Sequence, residues 1–324
     1  MTIRATRSAS WRRLRIGAGV LFSVLIVVAC FLTARRLTTT GWPLQRANVA
    51  LVLAASAAYL ASFFLRALGW QRLFSGDRPD RSRCLAACGA AAASGVVLPF
   101  RLDYVVKIWT LRKLGGVRLG LDTVGLSIVS LGMVDAVAML PLAVSALATS
   151  DAVFRAPLIV VLLFCLGCIS ALVLGPRLVQ LPFVARSDRV ERSFRRVGEH
   201  VGLSRSTLVA GGFLFGCWSM RTLGCALLLS ALGAGFSPSL ALVVICLAAA
   251  TSILPITAGG AIVNIGTTSV VLLGLGVTQE AAINFSLASG MLLTFSALAA
   301  AVVGATGSTF LTVQRRHLAH ATAV

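Results

Sequence analysis

AAASGVVLP at residues 91–99 and AAATSILP at residues 248–255 are two similar runs of small apolar residues, and each ends on Leu-Pro. Proline lacks a backbone donor and clashes with the preceding helical turn, so we expect a helix to end or break at Pro99 and at Pro255. A bilayer tolerates a broken helix only where it is buried in protein or lines a cavity. Two related breaks, one in each half of the chain, suggest an inverted repeat around a central site.

The composition is that of a polytopic helical membrane protein, because 58% of the 324 residues are hydrophobic. Apolar runs of about 20 residues predict membrane-spanning helices. The predicted helices cover residues 16–33, 48–66, 121–148, 155–174, 207–232, 238–254, 261–276 and 280–306. The fold class is therefore all-α, with about eight crossings of the bilayer, and no polar stretch is long enough for a soluble catalytic domain.

Residues 84–98 form a further apolar segment that is too short to cross the bilayer. As a helix it would rise about 22 Å, against a hydrocarbon core of about 30 Å. Basic residues flank it on both sides, and a re-entrant hairpin explains this because both flanks then stay cytoplasmic. A basic amphipathic stretch, residues 101–118, follows and is predicted to lie at the cytoplasmic face.

The net charge of +19 is concentrated in a few polar segments. Arginines fill residues 1–15 and the loop 175–206 between the two halves, and they recur in the tail 311–324. Under the positive-inside rule these segments are cytoplasmic, so residues 16–310 form one transmembrane domain in a cell inner (plasma) membrane, with both termini inside. No interleaved aromatics or recognised motif accompany the charge, so nucleic acid is not expected as a partner.

Eight cysteines lie in or at the edge of apolar segments, and no histidine accompanies them. We interpret them as small buried helix residues, so neither a metal nor another cofactor is expected. Cys30 ends a basic and then apolar N-terminal run that resembles a lipoprotein signal. Because the rest of the chain is polytopic, residues 16–33 are interpreted as an uncleaved first helix instead.

Four stretches follow one another along the chain in a recognisable order. They are LASFFLRALGWQRL at residues 60–73, VVLPFRLDYVVKIWTLRKLG at residues 96–115, a helix carrying Asp135, and ILPITAGGAIVNIG at residues 253–266. Together they resemble the transmembrane region of the lysylphosphatidylglycerol synthase superfamily, a flippase-like membrane domain with an LPGRLGE-type turn and a later P-x-x-GG-x-G-x-x-E turn. The resemblance spans residues 48–306. It implies a membrane domain that moves lipid between leaflets.

Several polar positions differ from the pattern of that family. Tyr104 and Asn264 stand where the family has glutamate, and Leu131-Gly132 replaces the Glu-Arg pair that commonly precedes the helix aspartate. Some members also carry a soluble aminoacyl-transferring domain, which has no counterpart in this sequence. Lysyl transfer to lipid is therefore not expected, and we predict a protein that is not an enzyme.

Arg101 and Asp103 directly follow the first predicted break, near the inner end of the cavity that a re-entrant segment would line. A guanidinium pairs bidentately with phosphate, and the free amides of a starting helix add partial positive charge. We interpret this position as a headgroup site, with an ordinary interfacial arginine as the alternative. Lys107, on the following basic stretch, is a further headgroup contact or a simple interfacial cation.

Gly259 and Gly260 follow the second predicted break and open the next short helix. Without side chains in the way, backbone amides there can approach a ligand closely, or the glycines can serve tight helix packing. Asn264, one turn further, offers a neutral amide to a headgroup or to a neighbouring helix. These three residues complete the predicted substrate-binding set.

Asp135 and Arg221 are the two charges that fall in the middle of long apolar runs. An unpaired charge costs several kcal/mol in hydrocarbon, so each is expected to face the protein interior and to have a partner. We predict an intramembrane pair between them, with a pair between Asp135 and Arg101 as the alternative. Such a pair can be structural or can switch during transport, with Asp135 as a carboxylate able to carry a proton.

The predicted function is a lipid translocase that moves an anionic, aminoacylated, or polyprenyl- or glyco-linked lipid between leaflets. The headgroup would pass through a polar cavity at the two breaks while the acyl chains stay in the bilayer. Two alternatives stay open: an accessory subunit that positions a lipid or envelope synthase, and a membrane-embedded lipid-linked transferase, which would need an acid/base or metal cluster. Each of the three is compatible with a homo-oligomer.

Overall fold

The structure, a computed structural model, consists of α-helices and connecting turns over the residues that it describes. These are residues 43–45, 47–74, 78–96, 98, 102–114, 119–178, 204–253 and 260–321, with side chains described except at 175–178, 250–253, 260–265, 267 and 311–321. The helices are α1 (Val49–Arg72), α2 (Arg81–Ser94), α3 (Asp103–Lys113), α4 (Leu121–Thr149), α5 (Ala152–Leu178), α6 (Arg205–Ala231), α7 (Pro238–Ile253), α8 (Gly260–Gly274) and α9 (Gln279–Ala321). The all-α prediction is confirmed for this part of the chain.

The observed helices follow the apolar runs closely. α4 covers residues 121–149 against a predicted 121–148, and α6 covers 205–231 against 207–232. Five helices are long and apolar enough to cross a bilayer, namely α1, α4, α5, α6 and α9. We call these five the candidate spans. The chain is a multi-pass membrane protein.

α7 and α8 are shorter than the candidate spans, at 16 and 15 residues. They rise about 24 Å and 22 Å, less than a hydrocarbon core of about 30 Å. α7 ends at Ile253, just before the predicted break, but Pro255 itself lies outside the described residues, as do Pro99 and the predicted helix 16–33. The number of crossings and the inverted repeat therefore stay predictions.

α1 is longer than predicted, because it continues past Arg66 to Arg72. A charge often marks the edge of an apolar run, but here an ion pair with Asp135 accommodates Arg66 between the helices. Ala67 and Trp70, which follow it, are buried. Arg66 is consequently an interior residue rather than the flank of a cytoplasmic loop.

α1 and α6 pack antiparallel along their whole length. At one end the amide of Asn48, the residue before α1, donates to the carbonyl of Ala231 at 3.1 Å. Towards the other end, Gly69 of α1 lies against the side chain of Leu214. The C-terminal end of α1 and the N-terminal end of α6 therefore lie together. Both ends carry arginine, Arg72 on α1 and Arg205 on α6.

α2 and α3 fold back on each other as a helical hairpin. A Cβ atom placed on Gly95, just after α2, would stand 3.5 Å from the Cβ of Asp103 at the start of α3. Near the other end, Arg83 donates to the carbonyl of Leu111 at 2.7 Å. The two arms therefore lie side by side, and the re-entrant position of the hairpin in the bilayer stays a prediction.

The basic stretch 101–118 is helical over α3, which is the return arm of the hairpin and packs against α2. Its location at the cytoplasmic face stays a prediction. Arg83 explains this arrangement, because its side chain is only 1% exposed and its guanidinium reaches a carbonyl in the last turn of α3. A cation is favourable there, where the helix dipole is negative.

α2 also packs antiparallel against α9, with the two backbones in close approach. A Cβ atom on Gly89 of α2 would stand 2.5 Å from the amide nitrogen of Ala301. One on Gly304 of α9 would stand 2.6 Å from the carbonyl oxygen of Ser82. Only glycine allows helices to approach this closely. The hairpin is thereby attached to a candidate span.

α9 extends beyond the predicted end of the last helix. It continues to Ala321, through most of the predicted tail 311–324. No proline or glycine follows Gly307, so nothing in the local sequence terminates the helix. The seven cysteines in the described residues are unbridged, and all but the half-buried Cys168 are buried, which confirms their interpretation as small helix residues.

Candidate functional site

An ion pair joins Arg66 of α1 to Asp135 of α4 inside two candidate spans. The guanidinium Nη2 of Arg66 donates to Oδ2 of Asp135 at 2.7 Å, and the two side chains are 21% and 13% exposed. The pair offsets much of the cost that either charge alone would have in hydrocarbon.

Trp218 of α6 occupies the second oxygen of the same carboxylate. Its indole Nε1–H donates to Oδ1 of Asp135 at 3.0 Å. The carboxylate is therefore held by one charged and one neutral donor, which come from two different helices. A hydrogen bond to a charged group contributes about 1.5–3 kcal/mol. The candidate spans α1, α4 and α6 meet at Asp135.

Arg221, three residues after Trp218 on α6, lies against aromatic rings instead of a carboxylate. Its Cζ is 5.2 Å from the ring centroid of Trp218 and 5.6 Å from that of Phe63. Its Nε donates to Oγ of Ser62 at 3.4 Å. Arg221 is half-buried, and its remaining guanidinium donors have no hydrogen-bond partner among the described residues. These N–H groups are free to donate hydrogen bonds to a ligand.

Lys107 of α3 lies over the ring of Trp70 of α1. Its Nζ is 4.2 Å from the ring centroid, and its side chain is only 7% exposed. The indole N–H of Trp70 donates to Oγ of Ser127 on α4 at 3.2 Å, which fixes the ring.

The contacts of these three cations follow one face of α1. Trp70, Arg66 and Phe63 recur at intervals of four and three residues, which places them one above another on the helix. Lys107 contacts the first, Arg66 is the second, and Arg221 contacts the third. Trp70 and Arg66 are about 6 Å apart along the helix axis, and Arg66 and Phe63 are about 4.5 Å apart. We call Lys107, Arg66 and Arg221 the cation ladder.

Neutral polar groups surround the cation ladder. The thiols of Cys88 on α2 and Cys217 on α6 lie near Arg66. At the end that carries Arg221, the hydroxyl of Tyr59 lies 3.4 Å from Oγ of Ser289 on α9. The described residues contain no group of three or more His, Cys, Asp and Glu side chains that could hold a metal. The site is therefore a row of cations lined by thiols, hydroxyls and indoles.

Comparison with known proteins assigns the chain to a family. The family described as Lysylphosphatidylglycerol synthase TM region matches residues 16–301, a stretch that contains the whole cation ladder. The chain belongs to this family. No curated protein and no solved structure matches it. As a member of the lysylphosphatidylglycerol synthase transmembrane-region family, the chain has a role connected with membrane lipid.

Of the site residues predicted after the first break, the structure describes Asp103 and Lys107. Lys107 belongs to the cation ladder, and Asp103 lies half-buried in the first turn of α3, four residues earlier on the same helix. Arg101 lies outside the described residues, so its role as a headgroup contact stays a prediction.

At the second predicted break, the structure describes only the backbone of Gly260 and Asn264. α8 begins at Gly260, as the sequence analysis expects, and Asn264 lies one turn further along it. Gly259 lies outside the described residues, and the side chain of Asn264 is among those not described. A ligand role for these three positions stays a prediction.

The predicted ion pair between Asp135 and Arg221 is corrected by the structure. The partner of Asp135 is Arg66, and Trp218 takes the remaining carboxylate oxygen. Arg221 lies almost one turn further along α6, where Ser62 and two rings hold it. Both predicted residues do face the interior and have partners, but they belong to adjacent levels of the site.

Sequence reasoning missed Arg66 and Trp218 as members of the site. Arg66 is the last residue of the predicted helix 48–66, so the sequence analysis does not place it in the interior. The apolar residues after it, up to Trp70, were the signal that the helix continues. Trp218 stands near the middle of the apolar run 207–232. An indole N–H needs an acceptor within the protein there, so this position indicates a polar partner for Trp218.

Proposed function

We propose that this protein is a lipid translocase of a bacterial-type inner membrane and not an enzyme. It moves an anionic, aminoacylated, or polyprenyl- or glyco-linked lipid from one leaflet to the other. The observation that carries this proposal is the cation ladder, because three cations and a single carboxylate, Asp135, lie beside one face of α1, a helix long enough to cross a bilayer.

The charges of the cation ladder would be costly in hydrocarbon. An ionised side chain in the bilayer interior costs several kcal/mol unless it is paired or lies in a water-filled cavity. A protein without a ligand gains nothing from more cations than carboxylates in such a place. A lipid headgroup with a phosphate supplies the missing negative charge, and guanidinium and ammonium groups are its usual partners.

The arrangement also supports movement rather than static binding. The cations lie at successive levels along α1, so a headgroup can pass from one to the next while its acyl chains stay in the bilayer. The candidate spans keep an apolar surface for those chains, as the exposed Val160, Leu163 and Phe164 of α5 illustrate. The basic segments of the chain suggest that the ladder starts from the cytoplasmic leaflet and that both termini are cytoplasmic.

The test is headgroup movement in liposomes that contain the purified full chain and a trace of phosphatidylglycerol labelled with a dithionite-sensitive dye. Dithionite bleaches only the outer leaflet, so translocation appears as additional bleaching after the first rapid phase. We expect the wild-type chain to produce this phase and Arg66→Gln to slow it about tenfold, a loss of about 1.4 kcal/mol of stabilisation along the path. Arg155→Gln, which removes an exposed arginine of α5, is the matched control and should behave as wild type.

Two outcomes would contradict the proposal. Liposomes with wild-type protein that bleach no further than empty liposomes would exclude translocation by the chain alone. If, in addition, the chain were isolated in a stable complex with a lipid or envelope synthase, an accessory role would replace the translocase. Consumption of the labelled lipid during the assay, detected by mass spectrometry, would instead point to a membrane-embedded transferase.

A further inference from the structure

The charges of the site do not balance within the described residues. Arg66 takes one oxygen of Asp135 and Trp218 takes the other. Lys107 and Arg221 have no carboxylate within 4.0 Å in the described part of the chain. Three cations and one carboxylate leave a surplus of two positive charges.

Aromatic rings hold the two surplus cations in place. Lys107 lies 4.2 Å above Trp70, and Arg221 lies between the rings of Trp218 and Phe63. A ring face attracts a cation more weakly than a phosphate does, and it leaves the N–H donors available. An arriving anion can therefore bind these cations without first breaking an ion pair.

The middle cation differs from its two neighbours because it already has a counter-ion. Arg66 is bound to Asp135 at 2.7 Å, and both side chains retain some exposure, at 21% and 13%. Along the axis of α1, Arg66 lies about 6 Å from Trp70, which Lys107 contacts, and about 4.5 Å from Phe63, which Arg221 contacts. A single phosphate group can therefore contact Arg66 together with the cation above or below it.

We infer that the cation ladder is a path of three positions for one phosphate group, and that the phosphate displaces Asp135 from Arg66 at the middle position. Asp135 is then the resident anion of the path. It neutralises Arg66 while no ligand is present, and it returns when the phosphate moves on. This inference deepens the proposed function and rests on it, since it assigns the headgroup chemistry and the order of contacts.

The inference predicts opposite effects for two kinds of substitution. Replacing a ladder cation by glutamine removes a partner of the phosphate and should weaken binding. Asp135→Asn keeps a hydrogen-bonding group beside Arg66 and Trp218 but removes the competing negative charge. It should strengthen phosphate binding and slow translocation, because the phosphate is no longer exchanged for a carboxylate. A purely structural Asp135 would have the reverse effect on binding.

The experiment measures dissociation constants of the purified full chain for three probes by microscale thermophoresis. Dioctanoylphosphatidylglycerol carries the phosphate and short acyl chains, dioctanoylglycerol has the same chains without phosphate, and inorganic phosphate has no chains. We expect the phospholipid to bind most tightly. Lys107→Gln, Arg66→Gln and Arg221→Gln should each weaken it about tenfold, and Asp135→Asn should tighten it about threefold to tenfold. Dioctanoylglycerol binding should not change.

Matched controls remove the same charges from exposed positions. The control variants are Lys113→Gln and Arg155→Gln. Lys113 lies on the same helix as Lys107, Arg155 lies on α5, and both side chains are exposed. Both variants should bind the phospholipid as wild type does. If Asp135→Asn does not fold, Lys107→Gln and Arg221→Gln still test the path, because they leave the ion pair between Arg66 and Asp135 intact.

The outcomes separate this inference from the proposed function. Ladder variants that bind the phospholipid as tightly as the controls, or an Asp135→Asn variant that folds but binds it more weakly, would overturn the phosphate path even if wild-type protein moves labelled lipid. Equal affinity for inorganic phosphate and the phospholipid, lost in the ladder variants, would support the path but assign it to free phosphate. The translocase proposal would then fail while the path remained.

Discussion

Two antiparallel helix pairs of this protein pack through different kinds of contact. In the pair α2–α9, Gly89 and Gly304 bring the backbones so close that no side chain fits between them. In the pair α1–α6, by contrast, Gly224 lies against the ring of Tyr59 and Gly216 lies against the side chain of Leu65. The second pair also carries Arg66 and Arg221, which face the interior.

The difference shows how one membrane protein separates support from function. Close backbone contact between small residues stabilises helix pairs in lipid, where no hydrophobic effect drives the helices together. It also leaves no room for a ligand. Large and charged side chains hold helices further apart and allow a polar interior, at the cost of placing charge in the membrane. The cation ladder therefore lies beside α1 and α6, while α2 and α9 anchor the hairpin that contributes Lys107.

The largest effect is expected where backbone meets backbone. Gly304→Ala places a Cβ atom 2.6 Å from the carbonyl oxygen of Ser82 and against the amide nitrogen of Ala86, and neither can move without shifting α2. We expect a loss of about 3 kcal/mol in the free energy of unfolding, at the upper end for overpacking. Denaturation in detergent followed by circular dichroism measures it. A loss of less than 1 kcal/mol would contradict the close contact between α2 and α9.

Trp218→Phe tests the polar half of the comparison. It keeps most of the ring that Arg221 contacts but removes the N–H that Asp135 accepts at 3.0 Å. We expect a loss of about 2 kcal/mol, in the range of a hydrogen bond to a charged group, from the same denaturation measurement. Trp109→Phe is the matched control, because Trp109 is 61% exposed, and it should change stability little. Equal losses in both variants would show that the bond to Asp135 contributes nothing.

Gly224→Ala sharpens the comparison, because it introduces the same methyl group into the other helix pair. The nearest neighbour of its Cβ would be the Tyr59 ring, with atoms at 3.1–3.2 Å. A ring can shift by a few tenths of an ångström, so we expect a loss of about 1 kcal/mol, clearly smaller than that of Gly304→Ala. A Gly224→Ala protein less stable than Gly304→Ala would reverse the assignment of the more tightly packed pair.

The smallest effect is expected at a helix glycine without close neighbours. A Cβ atom on Gly125 of α4 meets nothing within 4 Å. Gly125→Ala should therefore be neutral or more stable by up to about 1 kcal/mol, because alanine favours the helix. The same unfolding measurement serves as the baseline for the two glycine variants above. Destabilisation by Gly125→Ala would mean that alanine is poorly tolerated even without close neighbours. The losses at Gly304 and Gly224 could then not be attributed to the contacts within each helix pair.

Much of the architecture could be predicted from the sequence, because it depends on local properties. The length of an apolar run sets the length of a membrane helix, and α4 and α7 accordingly end within one residue of the expected positions. The interior location of Asp135 and Arg221 followed from their place in such runs. The family could also be recognised, since its motifs are contiguous in the chain.

The sequence by itself thus determined the membrane class, the helices and the two interior charges, while the tertiary structure alone decided which charge meets which. Partner choice depends on the rotation and axial position of one helix against another, and a shift of one turn exchanges the partners. Asp135 is bound by Arg66 and not by Arg221 for this reason. Lys107 reaches Trp70 because α3 folds back on α2, a long-range contact that no local pattern specifies.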